Sequence, residues 1–443
     1  MQKAPISENI KLEAALRFLK RCIPRPLLDF IRPAYHYLLS FFAALIYMFP
    51  SRQLFVIGIT GTKGKSTVVE LAGAILREAG KPTATLSSLY YWIGNNSWEN
   101  TLKMTVPGRL KLQRFLKRAK DAGAKYLVLE MTSEGIKQHR HRFIKFDIAC
   151  LINLHPEHIE AHGSFEAYRN SKFQLFKIAK FAHILNADDK NFDFFNSAFA
   201  KKKIYFTLQP QSTLKLRSDD LIFLASNITL TKDGSSFSID NMQFNINLVG
   251  RMNVYNALCA ISIARALKIP WETIQEALKN FPSPPGRFEF IDVGQKFHVV
   301  VDFAHTPDSL KEVYDTVKEL FLGTNIISVF GATGGGRDKW KRPVMGKIAA
   351  EYSKKIILTN EDPYDEDPYQ ILQDIKSGIP VKKLQITELI LDRRKAIETA
   401  IRAAQPGDTV VITGKGGEQW MALACGKKIP WSDSKIARET LLG

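Results

Sequence analysis

The sequence predicts an α/β protein. A P-loop central domain carries a doubly wound, mainly parallel sheet with a small antiparallel sheet beside it, and a Rossmann-like α/β domain follows it at the C-terminal end. Three observations predict this. The stretch Phe55-Val-Ile-Gly-Ile-Thr-Gly-Thr-Lys-Gly-Lys-Ser-Thr67 opens as an apolar strand, turns through Gly61 and Gly64, and runs on into a helical segment ending near Ala79. From Lys203 to Gly250 the pattern shifts to short alternating strands with Asp-Gly turn chemistry, which reads as an antiparallel side sheet. After Pro282-Ser-Pro-Pro-Gly286 a strand-loop-helix rhythm returns, with each strand ending in a polar or Gly-rich turn. The expected organisation is an N-terminal helical segment at 1–52, a central domain at 53–281 and a C-terminal domain at 282–443.

The glycine-rich turn is a phosphate cradle. Backbone N–H groups in the turn and at the helix N-terminus face an anion, Lys65 adds a point charge, and Ser66 offers a hydroxyl to Mg²⁺. The spacing is not the strict G-x-x-x-x-G-K-[ST], because its first glycine would fall at Ile59. The core Gly61-Thr62-Lys63-Gly64-Lys65-Ser66-Thr67 still outweighs the alternative of a flexible surface loop, since a strand precedes it and a helix follows. It predicts a nucleoside triphosphate ligand.

The 443 residues carry a formal net charge of +18, which suits anionic ligands or an anionic surface. The lysines and arginines are scattered, and no aromatic-interleaved basic motif stands out, so no nucleic-acid partner is expected. Cys22, Cys150, Cys259 and Cys425 lie far apart and make neither a metal pair nor a disulfide framework. A reducing cytoplasm fits, and a monomer is expected.

The N-terminal stretch differs from the rest. Residues 1–32 hold Lys3, Lys11, Arg17, Lys20, Arg21, Arg25 and Arg32 against Glu8, Glu13 and Asp29, and Ala34 to Phe49 is apolar without a formal charge. That run is short for a membrane span, which needs about 20 apolar residues. It has no small-residue cleavage site. The favoured reading is a helix packed on the first domain through Leu38, Phe41, Phe42 and Leu45, at i, i+3, i+4, i+7 spacing. The competing reading is an interfacial anchor that gives residues 1–50 peripheral membrane contact.

Further along, Pro82 to Ser88 reads as a strand, Tyr90 to Asn100 as an aromatic, turn-rich loop, and Leu110 to Ala119 as a helix. Lys125 to Met131 is a buried strand that delivers Glu130 near its C-terminal end, where open α/β sheets hold ligands. Phe146 to Asn153 is another, followed by His155-Pro-Glu-His-Ile-Glu-Ala-His162, rich in metal-capable side chains. Ala167 to Ala179 reads as a helix carrying Lys172, Ala182 to Asn186 as a strand, and Asn253 to Leu267 as an alanine-packed helix. In the last domain, strands at Phe297 to Phe303, Asn325 to Phe330, Lys355 to Leu358 and Thr409 to Ile412 lead into four candidate functional loops.

Taken together the motifs resemble the Mur ligase family of ATP-dependent amide-bond ligases, and within it the branch that adds the third residue of the peptidoglycan stem peptide. The resemblance rests on Thr60-Gly-Thr-Lys-Gly-Lys-Ser66, Glu130-Met-Thr-Ser133, Asn153 to Gly163, Tyr168-Arg-Asn-Ser-Lys172, Asn253-Val-Tyr-Asn256, Pro285-Gly-Arg287, Val301-Asp-Phe-Ala-His-Thr-Pro-Asp308, Arg337-Asp-Lys339 with Lys341-Arg-Pro343, and Gly414-Lys-Gly416. It runs from about Phe55 to the C-terminus. It implies that an acceptor carboxylate takes the γ-phosphoryl group of ATP and that an amine then displaces phosphate, chemistry that needs cations to bring like charges together. It implies catalytic roles for Lys65, Glu130, His158 and Lys172. Ser66 and Glu130 would hold one Mg²⁺, Glu130 and His158 would help hold a second, and a carbamylated Lys172 would support the metal site. Asn253, Arg287 and Asp302 match nucleotide contacts, although Arg287 also reads as an interdomain ion pair, and His305 would order the nucleotide loop. His155 and His162 are expected as polar support.

The departures from the family pattern bear on substrate. The usual N-terminal domain that grips uridine diphosphate has no counterpart in residues 1–52. Thr105-Val-Pro107 resembles a Thr-Thr-Pro acceptor motif with one change, and Thr132 and Ser133 are expected on the same side. The diaminopimelate-adding branch carries Asp-Asn-Pro-Arg, where this chain has Glu361-Asp362-Pro363-Tyr364. Tyrosine cannot form a bidentate ion pair with a carboxylate. Gly414 and Glu418 persist, with Glu418 available to a substrate ammonium, and Gly417 replaces a usual histidine. The expected partners are a small-molecule acceptor carboxylate and an amino acid. The alternatives are a polyglutamylating or amidating relative and a nucleotide-binding scaffold without ligase activity.

Overall fold

The structure, a computed structural model, describes residues 25–100, 105–210, 214 and 216–443, with side chains from residue 34 onward. Nine strands form the first sheet: β1 (Phe55–Thr60), β2 (Thr83–Leu86), β3 (Tyr90–Ile93), β4 (Asn96–Glu99), β5 (Tyr126–Glu130), β6 (Ile148–Leu151), β7 (Ala182–Asn186), β8 (Lys202–Thr207) and β9 (Leu221–Leu224). Their spatial order is β4-β3-β2-β5-β1-β6-β7-β8-β9. All pairs are parallel except β2 with β3 and β3 with β4. Parallel strands covered on both faces read as unbroken apolar runs, which is why β1, β5, β6 and β7 were legible. Helices α1 (Arg25–Ile46), α2 (Lys65–Glu78), α3 (Arg109–Asp121), α4 (Phe165–Ile178) and α5 (Arg251–Ala266) belong to this half of the chain. The apolar residues of α2 and α5 fill the core on one face of the sheet, and those of α3 and α4 fill it on the other.

Strand β1 lies between β5 and β6, with Ile59 beside Glu130 and Thr60 beside Leu151. The chain leaves β1 toward one side of the sheet and returns after β5 to the other. The C-terminal ends of these three strands therefore open a crevice at a topological switch point. The glycine-rich turn, Glu130 and Asn153 all stand there.

Three strands, β10 (Ser226–Thr231), β11 (Gly234–Ile239) and β12 (Met242–Ile246), make the separate antiparallel sheet. The last sheet contains β13 (Glu289–Phe290), β14 (His298–Asp302), β15 (Ile326–Phe330), β16 (Ser353–Thr359), β17 (Thr387–Ile390) and β18 (Thr409–Thr413) in the order β13-β14-β18-β15-β16-β17. Only β13 is antiparallel. Helix α6 (Pro307–Leu320) follows β14 and packs on one face of this sheet.

Three expectations are corrected. Tyr90 to Asn100 is not a loop but the β3–β4 hairpin, turning at Gly94 with φ +58°. Tyr91 and Ile93 point into the core while Tyr90 and Trp92 do not, the alternation of a half-buried strand. The stretch from Lys203 to Gly250 is not all side sheet, because β8 and β9 extend the main sheet in parallel. Finally, α1 does not pack through Leu38, Phe42 and Leu45. Among its described side chains the buried ones are Ser40, Ala43 and Ala44, and those three large side chains are exposed. Small residues let the helix approach its neighbours closely, and the bulky ones are left outside.

Candidate active site

The phosphate cradle is held by its neighbours. Gly64 sits at φ +79°, and a Cβ there would come within 2.1 Å of Asn256 Oδ1, so both conformation and space require glycine. Asn153 secures the turn, its Oδ1 accepting from the N–H groups of Thr62 at 3.1 Å and Lys63 at 2.9 Å. The Thr62 hydroxyl pairs with Tyr168 Oη at 3.0 Å, tying α4 to the turn. Lys65 folds back to donate to the Thr62 carbonyl at 2.9 Å, and Lys63 faces Glu157 at 3.5 Å. Burial works to raise the Glu157 carboxyl, but Lys63, with His158, His305 and Lys65, holds it well below the usual range. Burial in turn lowers Lys63 despite that pairing.

Glu130, 3 % exposed at the end of β5, is the junction of the site. One of its oxygens accepts from Ser66 Oγ at 2.7 Å, Ser88 N at 2.9 Å and Ser88 Oγ at 3.1 Å. Ser88 Oγ also meets Thr105 Oγ1 at 2.8 Å, so the Thr105-Val-Pro107 segment is linked to the cradle through two hydroxyls. Thr132 caps a short helix, its hydroxyl accepting from Gly135 N at 3.1 Å, and Ser133 bonds His162 Nε2 at 3.1 Å. Burial lowers His162 to about 4 and keeps it neutral. His155 stands 3.9 Å from Asp308.

Lys172 is 2 % exposed and donates to the Gly61 carbonyl at 2.8 Å, with its amine over the Tyr168 ring. Burial, with Lys65 close by, holds that amine well below the ordinary lysine range. His158 adopts a left-handed conformation at φ 57°, and burial lowers its imidazole against the pull of Glu157. Ser66 and Glu130 are thus in direct contact, while among the described residues no three His, Cys, Asp or Glu side chains converge as a metal cage.

A cavity between the two halves is lined by Lys63, Gly64 and Thr67 at one end, and by Leu248, Val249, Phe288 and Val313 among its apolar members. Asn253, Arg287, Asp302 and His305 line it too, whereas Gly61, Thr62, Lys65 and Ser66 of the cradle are not among its lining residues. Asp302 accepts from Phe288 N at 2.8 Å and Ala304 N at 2.7 Å, and burial raises its carboxyl against the pull of Arg287. Arg287 lies over the Phe303 ring at 4.5 Å and makes no ion pair among the described residues. His305 Nδ1 bonds the Phe303 carbonyl at 2.8 Å, and burial beside Lys63 keeps the ring neutral.

The loops after β16 and β18 meet each other. Asp362 accepts from Lys415 Nζ and from Ala422 N, each at 2.8 Å, and Lys415 also pairs with Glu418. Burial opposes the Lys415 ammonium, but Glu418 and Asp362 outweigh it and hold its pKa up. Gly414 is close against Glu361, where a Cβ would lie 2.5 Å from Oε2. Tyr364 packs its ring on Gly335. Three features were missed in the sequence. Lys415 neutralises the acidic pair, Asn153 secures the cradle, and the buried Arg393–Asp433 pair at 2.6 Å braces both loops through the Asn360 and Thr413 carbonyls. The first two lie inside recognised motifs. Arg393 and Asp433 carry no local signal.

Residues 59–264 match the Mur ligase middle domain, and residues 286–416 match the Mur ligase glutamate ligase domain. The chain belongs to the Mur ligase family, whose members use ATP with Mg²⁺ to form peptide bonds in peptidoglycan precursor synthesis, and it is a ligase of that kind. It is 38% identical over 414 residues to the UDP-N-acetylmuramoyl-L-alanyl-D-glutamate--2,6-diaminopimelate ligase of Syntrophomonas wolfei, covering 91% of this chain and 82% of that protein. The enzyme of the same name from Aquifex aeolicus is 38% identical over 401 residues, covering 89% of this chain and 79% of that protein. A solved structure of a ligase of that name superposes with a TM-score of 0.60 at 28% identity, over 93% of this chain and 82% of that one. Folylpolyglutamate synthase of Mycobacterium tuberculosis reaches a TM-score of 0.66 at 14% identity, over 94% of this chain and 96% of that one, a likeness of fold.

Proposed function

We propose that the chain joins an amino acid to the carboxylate of a peptidoglycan-type acceptor through an acyl phosphate. A carboxylate oxygen of the acceptor attacks the γ-phosphorus of ATP and ADP leaves. The amine nitrogen then attacks the acyl carbon, gives up a proton and expels phosphate. The observation that carries this reading is the single Glu130 oxygen on which Ser66 of the cradle and Ser88 of the acceptor side converge. A phosphoryl donor and a carboxylate acceptor would meet across it. Lys65 and Lys63 supply positive charge to the phosphates, and Arg287 adds a guanidinium from the second domain.

The donor set suits Mg²⁺, which takes one or two carboxylates with phosphate oxygens and waters rather than an all-protein cage. Glu130 and Ser66 would hold it, with His158 near Lys65. The ion would neutralise charge on the transferring phosphoryl group. Lys172 is proposed as a carbamate. A neutral amine nitrogen attacks CO₂ and loses a proton, and burial, which lowers the lysine amine, favours that neutral form. The chain is proposed to act as a monomer in the cytoplasm, with peripheral membrane contact through its first fifty residues.

The added amino acid is proposed to be one without a second carboxylate, because Tyr364 offers no charge to clamp one. The test incubates the purified chain with ATP, Mg²⁺, muramoyl-dipeptide acceptors and a panel of amino acids, and follows amide product and phosphate together. The expected result is phosphate release matched to a new amide, with diaminopimelate a poor substrate. Phosphate release without amide, or neither product with any acceptor, would overturn the reading.

A further inference from the structure

Helix α1 carries its bulk on the wrong side for a globular protein. Ser40, Ala43 and Ala44 face the fold, and the Ser40 hydroxyl donates to the His139 carbonyl at 2.9 Å. Tyr35, Leu38, Phe42, Leu45 and Ile46 recur at helical spacing on the opposite face, where Phe42 is 52 % and Ile46 64 % exposed, and Met48 just beyond is 77 % exposed. From Pro33 to Ser51 the sequence holds no Lys, Arg, Asp or Glu. A contiguous apolar face of this kind marks an interaction surface.

What flanks it says which one. Helix α3 packs beside α1 and carries Arg109, Lys111, Arg114, Lys117, Arg118 and Lys120 against Asp121 alone. The turn His139-Arg140-His141-Arg142 abuts α1 as well, with the Tyr37 ring against His139 and the rings of Tyr37 and Phe41 against Phe143. Arg52 lies over the Phe49 ring at 4.6 Å. An apolar band edged by cations and tyrosines is the complement of an anionic bilayer interface. Leu, Ile, Phe and Met enter the acyl boundary, and Lys and Arg stay with the head-group phosphates. No described helix is long and apolar enough to cross a membrane, so the contact lies in the interface plane.

We propose that the outward face of α1, with the cations of α3 and the His139–Arg142 turn beside it, docks the ligase onto a bilayer rich in anionic phospholipid. The inference rests on the membrane contact suggested above, and assigns it to one face and one class of lipid. The active site then works at the membrane surface.

The test floats the full-length protein with vesicles of phosphatidylcholine alone or of phosphatidylcholine with phosphatidylglycerol, at low and at physiological salt. Binding is expected only with phosphatidylglycerol and is expected to weaken with salt. The double variant Phe42→Glu/Ile46→Glu should lose at least about tenfold in binding, since two large apolar side chains no longer enter the boundary. Arg114→Glu should weaken binding and flatten its salt dependence. Ligase turnover in solution reports that each variant is folded, because none of these residues lines the nucleotide cavity. If the wild-type chain does not float, membrane contact and this face are both wrong. If it floats and the double variant floats equally well, contact stands but this face is wrong. A dimer in light scattering that the double variant splits would assign the face to a second copy and overturn the proposal.

Discussion

Replacing Lys172 separates chemistry from packing in a way the structure makes quantitative. The side chain is buried, its amine bonded to the Gly61 carbonyl and lying over Tyr168. Lys172→Ala removes three methylenes, at about 0.8 kcal/mol each, and leaves a cavity, so a stability loss of about 3 kcal/mol is expected. That is tolerable against the ~5–15 kcal/mol typical of a folded domain. Lys172→Met keeps the volume and should cost less than about 1.5 kcal/mol. Neither variant can carry a carbamate, and both should lose at least about a hundredfold in turnover. They should part company under rescue. Formate or acetate can enter the space left by alanine and restore an oxygen ligand, whereas methionine fills that space and should resist rescue. The assay is amide formation at saturating ATP, run with denaturant melts, and with ¹³C NMR in labelled bicarbonate to watch for a carbamate carbon that both variants lack. Near-normal turnover by Lys172→Met would show that the reaction does not need a carbamate at this position. So would a turnover loss in Lys172→Ala that merely follows the fraction unfolded.

Three further expectations follow from the geometry. Lys65→Ala should lower turnover by about a hundredfold or more, because it removes a cation from the cradle that receives the phosphates, and wild-type rates in that variant would remove Lys65 from the site. X-ray scattering should report a smaller radius of gyration when a non-hydrolysable ATP analogue and acceptor bind together, the proposed boundary at 282–285 serving as hinge, and identical curves would count against closure. Glu70 is buried and accepts from Ser87 Oγ and Trp92 Nε1, and burial raises its carboxyl from 4.5 to about 7. The folded state therefore binds more protons than the unfolded between those values, and stability falls as pH rises through the window, by about 3 kcal/mol in all. Glu70→Gln should flatten that fall in urea melts from pH 4 to 8, and parallel curves for the two proteins would show that Glu70 does not titrate there.

The βα rhythm was legible because burial on both faces writes a strand as an uninterrupted apolar run, as in Ile326–Phe330, and because the loops at one edge must be polar or glycine-rich. The hairpin at Tyr90–Glu99 was not, because its turn chemistry at Gly94-Asn95 is the same signal that marks a loop. Helix α1 defeated periodicity for another reason. With no formal charge from Pro33 to Ile46, spacing gives a stripe but not its direction, and only packing reveals that alanine and serine face inward. Within the site, sequence found the cradle but not the division of labour between its lysines, since Lys63 pairs with Glu157 while Lys65 turns back on the loop. What stayed wholly hidden are contacts across the two halves: Arg251 to Glu319 at 2.8 Å, Lys339 N to Glu160 at 2.9 Å, and His155 to Asp308 at 3.9 Å. Each joins residues far apart in the chain, so no local pattern records it. The Arg251–Glu319 pair is largely exposed, and a pair of that kind contributes about 0–1 kcal/mol. An arrangement held by such weak ties can open at little cost, and a nucleotide bound as proposed, between Lys63 on one side and Arg287 on the other, would tie the two halves together.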